Sequence, residues 1–313
     1  MSEKLKKVKL KGNESFNFRE GWLRKGMRCV EADGMVFSQD DAMEQLGVGS
    51  KMVKSIRFWL QATYLCEERI VNPNRARVQF LTDSFGRLIY SLDPYFDDPF
   101  TLFLIHYHLV KNEEFCIVWN LFFNEYNGQD FLKDDFVNSC AELLDKRMDE
   151  GCEYSRSLME DDCASVIKMY TDENKNVGGG APTVCDNHPE ESLLCPLVEL
   201  GLIRRSSKRK GAYIKSSPTR ESLDKLAVLY VIVNNMIENR KNSVGIGDLL
   251  NAHNNIGRVL NLNRVLINEY LDQLRIAEYL TINRTAGLDM VYLRKEISPE
   301  SIIREYFEKV KEK

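Results

Sequence analysis

Apolar positions recur at helical spacing along most of this chain, and strict alternation is confined to a few short stretches. In FSQDDAMEQLGVGSKMVKSIRFW, residues 37–59, Ser38 is placed to cap a short helix from Gln39 to Leu46. Gly47-Val48-Gly49 then makes a tight turn, and Ser50 caps a second helix. In that helix Met52, Ile56, Trp59, Leu60 and Thr63 share one face, which puts Lys51, Lys54, Arg57 and Gln61 on the other. RIVNPNRARVQFLT follows, alternating about Asn72-Pro73-Asn74, and predicts a hairpin with Arg69, Arg75 and Arg77 in or beside it. Two helices across a tight turn and then a hairpin outline a winged helix, with a second helix able to lie in a major groove. Lys51, Lys54, Arg57, Gln61, Arg75 and Arg77 are therefore the candidate DNA contacts, as donors to phosphates or base edges. A winged helix that holds another protein, its cations merely solvated, is the competing reading.

From Leu81 to Leu144 the pattern is helical and strongly apolar, with Pro94 and Pro99 bracketing a turn before TLFLIHYHLV. The aromatic residues here read as core, and His106 and His108, two apart, fall on different faces of a helix and cannot be a joint metal pair. TDENKNVGGGAPTVCDNHPEE, rich in Gly and Pro, reads as a linker. Its three glycines are not a phosphate-binding loop, because no Gly-Lys-Ser/Thr follows. SLLCPLVELGLIRRSSKRKGAYIKS predicts a short helix, a turn at Gly201 and a basic hairpin, either a wing against phosphates or a solvated turn. After Ser222 the pattern repeats that of the N-terminal part: helices over LDKLAVLYVIVNNMI, IGDLLNAHNNIG and NLNRVLINEYLDQLRIAEYL, a hairpin about Gly287, and a short helix from Pro299. Arg264, Asn268 and Arg275 can reach nucleic acid there, but Glu269 and Asp272 share the exposed face, so a dimerisation or partner module is an equal reading.

The expected architecture is mainly α, with winged-helix modules at both ends around a central helical domain. Residues 1–90 carry a polar motif and the first winged helix, 91–170 the central helices, 171–190 a flexible linker, and 191–313 the basic hairpin and a winged-helix-like domain. A length of 313 residues accommodates this with ample core.

Composition is that of an ordinary globular protein, 43% hydrophobic and 29% charged, and the net charge of −4 excludes coating DNA by bulk electrostatics while leaving room for a local basic face. The lysine-rich start (Lys4, Lys6, Lys7, Lys9, Lys11) lacks the apolar segment of a secretory signal and reads as a flexible arm or solvated edge strand. No run reaches the roughly 18 apolar residues of a membrane span. Eight irregularly spaced cysteines suit reduced thiols and a cytoplasmic location. Cys163, Cys185, His188 and Cys195 lack a zinc knuckle and read as scattered thiols.

Cleavage of a phosphodiester with divalent cations needs carboxylates that converge on the phosphate. The middle of the chain supplies many (Asp130, Asp134, Asp135, Glu142, Asp145, Asp149, Glu150, Glu160, Asp161, Asp162), and solvated helix faces look the same. Glu14, Asp93, Asp97 and Asp98 stand beside turns and inside the blocks that carry a resemblance. GNESFNFREGWLRK (12–25), the block from 37 to 59, LTDSFGRLIYSLDPYFDDPFTLFLIHYHL (81–109) and SLLCPLVELGLI (192–203) resemble, in order, the blocks of a bacterial family first catalogued as a domain of unknown function. That family has a G-H-E-[ST]-F…R-x-G-W-L-x-K opening, an L-G-V-G-x-N-M-V-x-S-I-x-[FY]-W helix, an L-T…D-P-Y-L-E-D…T-L-W-L-L-H segment and a late L-x-C-P-L-x-E-L-G-L-I. It looks like the nicking component of the Ssp DNA phosphorothioation defence system, which places sulfur in one DNA strand. The chain departs from the pattern at Asn13, where His is usual, and at Lys51, where Asn is common.

The resemblance implies a metal-dependent single-strand DNA nicking endonuclease, using Mg or Mn, that acts on double-stranded DNA with the other proteins of its operon; a homodimer is a further expected partner. On this reading Glu14 is metal ligand or base, Asn13 orients the phosphate, Arg19 clamps it, and Glu14, Asp93 and Asp97 hold the metal. Two alternatives stand beside it: a non-catalytic DNA-binding subunit, and a scaffold that recruits the sulfur-transfer enzymes. Glu14 and Arg19 as a structural salt bridge is the competing account of those two residues.

Overall fold

The computed structural model describes residues 4–71, 75–172, 194–285 and 288–312. The chain is mainly helical, with three small antiparallel sheets among these residues. The N-terminal part consists of α1 (Trp22–Ala32), α2 (Ala42–Leu46) and α3 (Ser50–Ala62), followed by the hairpin β1 (Cys66–Val71) and β2 (Ala76–Leu81), in which Cys66 pairs with Leu81 and Val71 with Ala76. The predicted helical face of α3 is buried at Ile56, Trp59 and Leu60, with Lys51 and Lys54 on the exposed side. The caps differ from expectation. Ser38 ends a 3₁₀ turn (Val36–Ser38) and α2 begins only at Ala42; Ser50 is the first residue of α3, with Gly49 before it. Gly47, at φ +60°, ends α2 as the Gly-Val-Gly turn requires.

The centre is built on α4 (Gly86–Leu92), α5 (Pro99–Lys111), α6 (Glu113–Asn124), β3 (Asp130–Phe131), α7 (Lys133–Arg147) and α8 (Arg156–Tyr170). Pro99 occupies the first turn of α5 and the Asp98 side chain accepts the Phe100 N–H, so this helix starts where its sequence dictates. Every residue from Phe100 to Val110 is buried, which a helix apolar all round demands. His106 and His108 go inside with it. His106 donates from Nε2 to the Val259 carbonyl and accepts at Nδ1 from Tyr170 Oη, each at 2.7 Å; His108 Nε2 meets Tyr230 Oη at 2.7 Å. Burial lowers them to about 4 and about 3, so both are neutral structural histidines.

A 3₁₀ turn (Pro196–Leu200), shorter than the expected helix, leads to β4 (Ile203–Arg205) and β5 (Tyr213–Lys215), which form a sheet in the order β3-β5-β4. The C-terminal part has α9 (Lys225–Glu238), β6 (Ser243–Gly245), α10 (Ile246–Asn251), α11 (Ile256–Val259), α12 (Arg264–Ile276), β7 (Leu280–Thr285), β8 (Leu288–Leu293) and α13 (Pro299–Lys311). Its sheet runs β6-β8-β7. Helices again precede a hairpin, and α9 packs on α5, α12 and α13. One hydrophobic core runs without a break from Phe18 to Phe307.

The lysine-rich start is not a loose arm. Leu5 bridges Met148, Lys4 Nζ donates to the Lys146 carbonyl, and Lys9 Nζ lies 3.8 Å from the centre of the Phe115 ring. The acidic middle is largely spent on structure: Asp135 caps α7, Asp145 accepts from Tyr154, and Asp161 and Asp162 receive Lys11. Among the described residues no helix is long and apolar enough to cross a membrane. The expected turn at Asn72-Pro73-Asn74, most of the linker and the turn at Gly287 lie outside the described residues.

Candidate functional site

The first of the resembling blocks opens as a strained loop. Lys11, Glu14 and Ser15 have φ of 54°, 51° and 66°, a left-handed conformation that residues other than glycine adopt only when their surroundings enforce it. Gly12 allows the loop to lie on α3: a Cβ there would stand 2.4 Å from the Phe58 ring. The Phe16 carbonyl accepts from Ser55 Oγ at 3.0 Å and Trp59 Nε1 at 2.8 Å. From the other side α8 holds the loop, with Asp162 accepting the Lys11 N–H at 2.9 Å. Asn13 is 1% exposed, its Oδ1 accepting the Ser15 N–H and its amide near Ser165. It braces the loop and does not face solvent, whereas the sequence expectation has it orient a phosphate. Glu14 stays on the surface, 3.9 Å from Lys54.

Beyond the loop the chain passes Arg19, Glu20 and Gly21, the last at φ +78°, and enters α1. Here a cleft of 900 Å³ opens. One wall is Phe18–Gly21 and Leu23. A second is the turn Tyr95-Phe96-Asp97. A third is Leu194–Pro196, Val198, Glu199, Gly201 and Ile203–Arg205. Three of the four resembling blocks, far apart in sequence, thus meet in one cavity, and the fourth, α3, clasps the loop of the first. Asp93 forms the second wall from behind: its carboxylate accepts the N–H groups of Asp97 at 3.1 Å and Asp98 at 3.3 Å. Tyr95 is fixed by Arg24, whose guanidinium lies 3.7 Å from the ring centre and donates to the hydroxyl at 2.8 Å. Arg204 Nε donates to the Gly201 carbonyl at 3.3 Å.

Arg19, Arg204 and Arg205 line this cleft together with Glu20, Asp97, Asp172 and Glu199. Arg19 and Asp172 both have partners within the protein. Guanidinium groups suit a phosphate diester, since each presents a planar fork of donors. Of the expected catalytic and metal residues, Arg19 and Asp97 line the cleft; Asn13, Glu14 and Asp93 do not. Among the described residues no group of three or more His, Cys, Asp or Glu can hold a metal ion. The expected set of Glu14, Asp93 and Asp97 is therefore not a ready-made cage. The oxygen donors lining the cleft nevertheless suit Mg²⁺, which binds through one or two carboxylates plus substrate phosphates and keeps several waters. Cys163 is buried beside Cys140, and Cys195 lies at the cleft; Cys185 and His188 lie outside the described residues.

The expected DNA face is partly spent on itself. Arg57 is half-buried and its Nε meets Glu68 Oε2 at 2.7 Å, while Arg77 reaches the other oxygen of the same carboxylate at 3.8 Å. Gln61 donates to the Arg57 carbonyl. Lys51, Lys54 and Arg75 are exposed. In the basic hairpin Arg209 stands 3.9 Å from both Asp130 and Asp135, and in the C-terminal part Arg264 faces Asp289 and Arg275 faces Asp272.

The family described as a protein of unknown function (DUF4007) matches residues 10–307. The chain belongs to that family. A solved structure described as "Magnesium ion-bound SspB crystal structure" superposes with a TM-score of 0.83 at 23% identity, covering 98% of this chain and 90% of that one. A second, "SspB crystal structure", gives 0.82 at 22% identity with the same coverage. The DUF4007 chain thus has the SspB fold over nearly its whole length. No curated protein matches it.

Proposed function

We propose that this chain acts on DNA within a phosphorothioation system, and that it cuts one strand in the cleft between Arg19, Asp97 and Arg204. The observation that carries this is the meeting of three resembling blocks around one arginine-lined cavity in a protein with the SspB fold. Arg19, Arg204 and Arg205 bind the scissile phosphate and offset the charge that builds on it during attack. Asp97, with Glu20 or Asp172, would hold Mg²⁺. The ion would supply Lewis acidity and a more acidic water. Glu14, on its braced loop, acts at the edge of this arrangement, while Asn13 and Asp93 keep the two walls in place.

The N-terminal helices with β1 and β2 serve as a winged helix that positions the duplex through Lys51, Lys54 and Arg75. Arg57 and Arg77 are held back by Glu68. The C-terminal helices with β7 and β8 form a second such module, better suited to a protein partner because its arginines are already paired with carboxylates. A non-catalytic DNA-binding subunit is the second reading, favoured by the exposed Lys51, Lys54 and Arg75 of the N-terminal helices and hairpin.

Relaxation of supercoiled plasmid tests the proposal, with Mg²⁺ or Mn²⁺ against EDTA and with Arg19→Gln, Asp97→Asn and Glu14→Gln alongside. Metal-dependent open circles, lost in the first two variants, are expected. Binding without relaxation in the unaltered chain would remove the nicking claim and leave the second reading.

A further inference from the structure

A second cavity, of 470 Å³, opens beside β5 and the start of α12. Its lining includes Lys215, Arg258, Asn127, Gln129, Asn251 and Asn263, and among the described residues no Asp or Glu contributes to it. Lys215 is only 8% exposed. Two of its three protons are given to the carbonyls of Phe122 and Tyr126, the latter at 2.6 Å, just where α6 ends. The ammonium also lies 4.4 Å from the centre of the Phe122 ring, and its third proton has no oxygen or nitrogen acceptor among the described residues. Arg258 gives Nη1 to Asn127 Oδ1 at 2.8 Å and Nε to the Asn251 carbonyl at 3.4 Å, which leaves the rest of its fork. Neither cation has a carboxylate partner among the described residues.

Two like charges at one lined cavity, one of them buried, are unfavourable until an anion joins them. Burial, and after it the charge of Arg258, lower Lys215 to about 7, so near neutral pH it gives up its proton readily and would hold it more firmly once an anion joined the cavity. Helix α12 adds to the positive field, since its N-cap, Asn263, lies on the cavity wall. Helix C-terminal carbonyls alone explain why Lys215 is tolerated, but not why Arg258 and a ring of amides share its cavity.

We propose that this cavity binds a tetrahedral oxyanion of the phosphate class, held between Lys215 Nζ and the Arg258 guanidinium with Asn and Gln amides around it. Two sources share this chemistry: free inorganic phosphate, and the terminal phosphate of a DNA strand. The site stands apart from the arginine cleft and does not depend on the nicking reading.

Thermal unfolding and calorimetric titration of the full chain with inorganic phosphate, against chloride at equal ionic strength, test it. Saturable stabilisation by phosphate is expected, with affinity weakened about tenfold or more in Arg258→Gln and in Lys215→Met, as loss of a charge-assisted hydrogen bond implies. Arg258→Gln decides the matter if Lys215→Met does not fold, because Arg258 is half-buried and on the cavity edge. No phosphate-specific stabilisation, or equal affinity in Arg258→Gln, would overturn the proposal. A 5′-phosphorylated tetranucleotide that competes with phosphate, where its 5′-hydroxyl counterpart does not, identifies a DNA terminus as the source. Competition by inorganic phosphate or sulfate alone identifies a free oxyanion, and either result upholds the site.

Discussion

Replacing Asp162 by Asn should abolish a pH dependence of stability that the strained N-terminal loop imposes. Asp162 lies on α8, receives the Lys11 N–H at 2.9 Å, and is buried beside Asp161. Burial raises its carboxyl from 3.8 to about 7, opposed in part by the Lys11 N–H and helped by Asp161. A carboxyl raised in the fold is protonated there while already ionised in the unfolded chain, so stability falls as pH rises from about 4 to about 7. A shift near three units at 1.36 kcal/mol each is about 4 kcal/mol in full, of which roughly 2–3 kcal/mol falls between pH 5 and pH 8. His106 and His108 titrate with the opposite sign, because their lowered folded values make stability fall as pH drops below about 6.5. The informative quantity is therefore the difference between variant and parent at each pH. Asn keeps an acceptor for the Lys11 N–H, so the loop remains docked. Urea unfolding at pH 5 and pH 8 should show Asp162→Asn gaining roughly 2 kcal/mol on the parent over that interval. Parallel curves for the two proteins would refute the reasoning.

Glu68→Gln releases Arg57 and Arg77 toward the α3 face and should tighten duplex binding about three- to tenfold at low salt, read by fluorescence anisotropy; unchanged binding would mean that this face does not meet DNA. Gly12→Ala drives a methyl into the Phe58 ring and should cost about 1–3 kcal/mol in denaturant unfolding, with plasmid relaxation falling alongside if the loop serves the cleft. His106→Phe removes the link from Tyr170 to the Val259 carbonyl and should cost about 2 kcal/mol near neutral pH while weakening the loss of stability below pH 6, which acid-titrated melts would show.

What was legible in the sequence was whatever depends on spacing along the chain. The 3.6-residue period shows the buried face of α3 and the apolar lengths of α5 and α9, while α5 begins at Pro99, two residues before the expected TLFLIHYHLV, because Pro99 takes the first turn and Asp98 caps it. Ser38 and Ser50 misled as caps because a 3₁₀ turn and Gly49 took those places. Arg57 looked like a DNA contact because its spacing puts it opposite the core. The hairpin then folds back to bring Glu68 against it, and no local pattern encodes that pairing. Arg204 and Arg205 read only as part of a basic hairpin. Their place in the lining of the cleft, across from Phe18–Gly21, comes from the tertiary fold, although they follow directly on the last resembling block and so carried a usable signal. Lys215 carried none, since a single lysine in a strand does not announce that it will be buried.

The strained loop ties these observations together. Left-handed conformations at Lys11, Glu14 and Ser15 cost about 1–3 kcal/mol each, and such strain persists only where the surroundings over-determine it. Here α3 supplies Ser55, Trp59 and the Phe58 surface, and α8 supplies Asp162 and Ser165. Two helices from different parts of the chain thus hold a conformation that a relaxed loop would avoid, and the segment leaving that loop delivers Arg19 to the cleft. Asn13, which stands where the resembling family usually has His, spends both ends of its amide inside this brace. An imidazole at that depth would face the same neighbours. The departure at position 13 therefore bears first on how the loop is held, and under the proposed function the chemistry of the cleft would rest on Arg19, which matches the family pattern, with Asp97, Arg204 and Arg205 beside it.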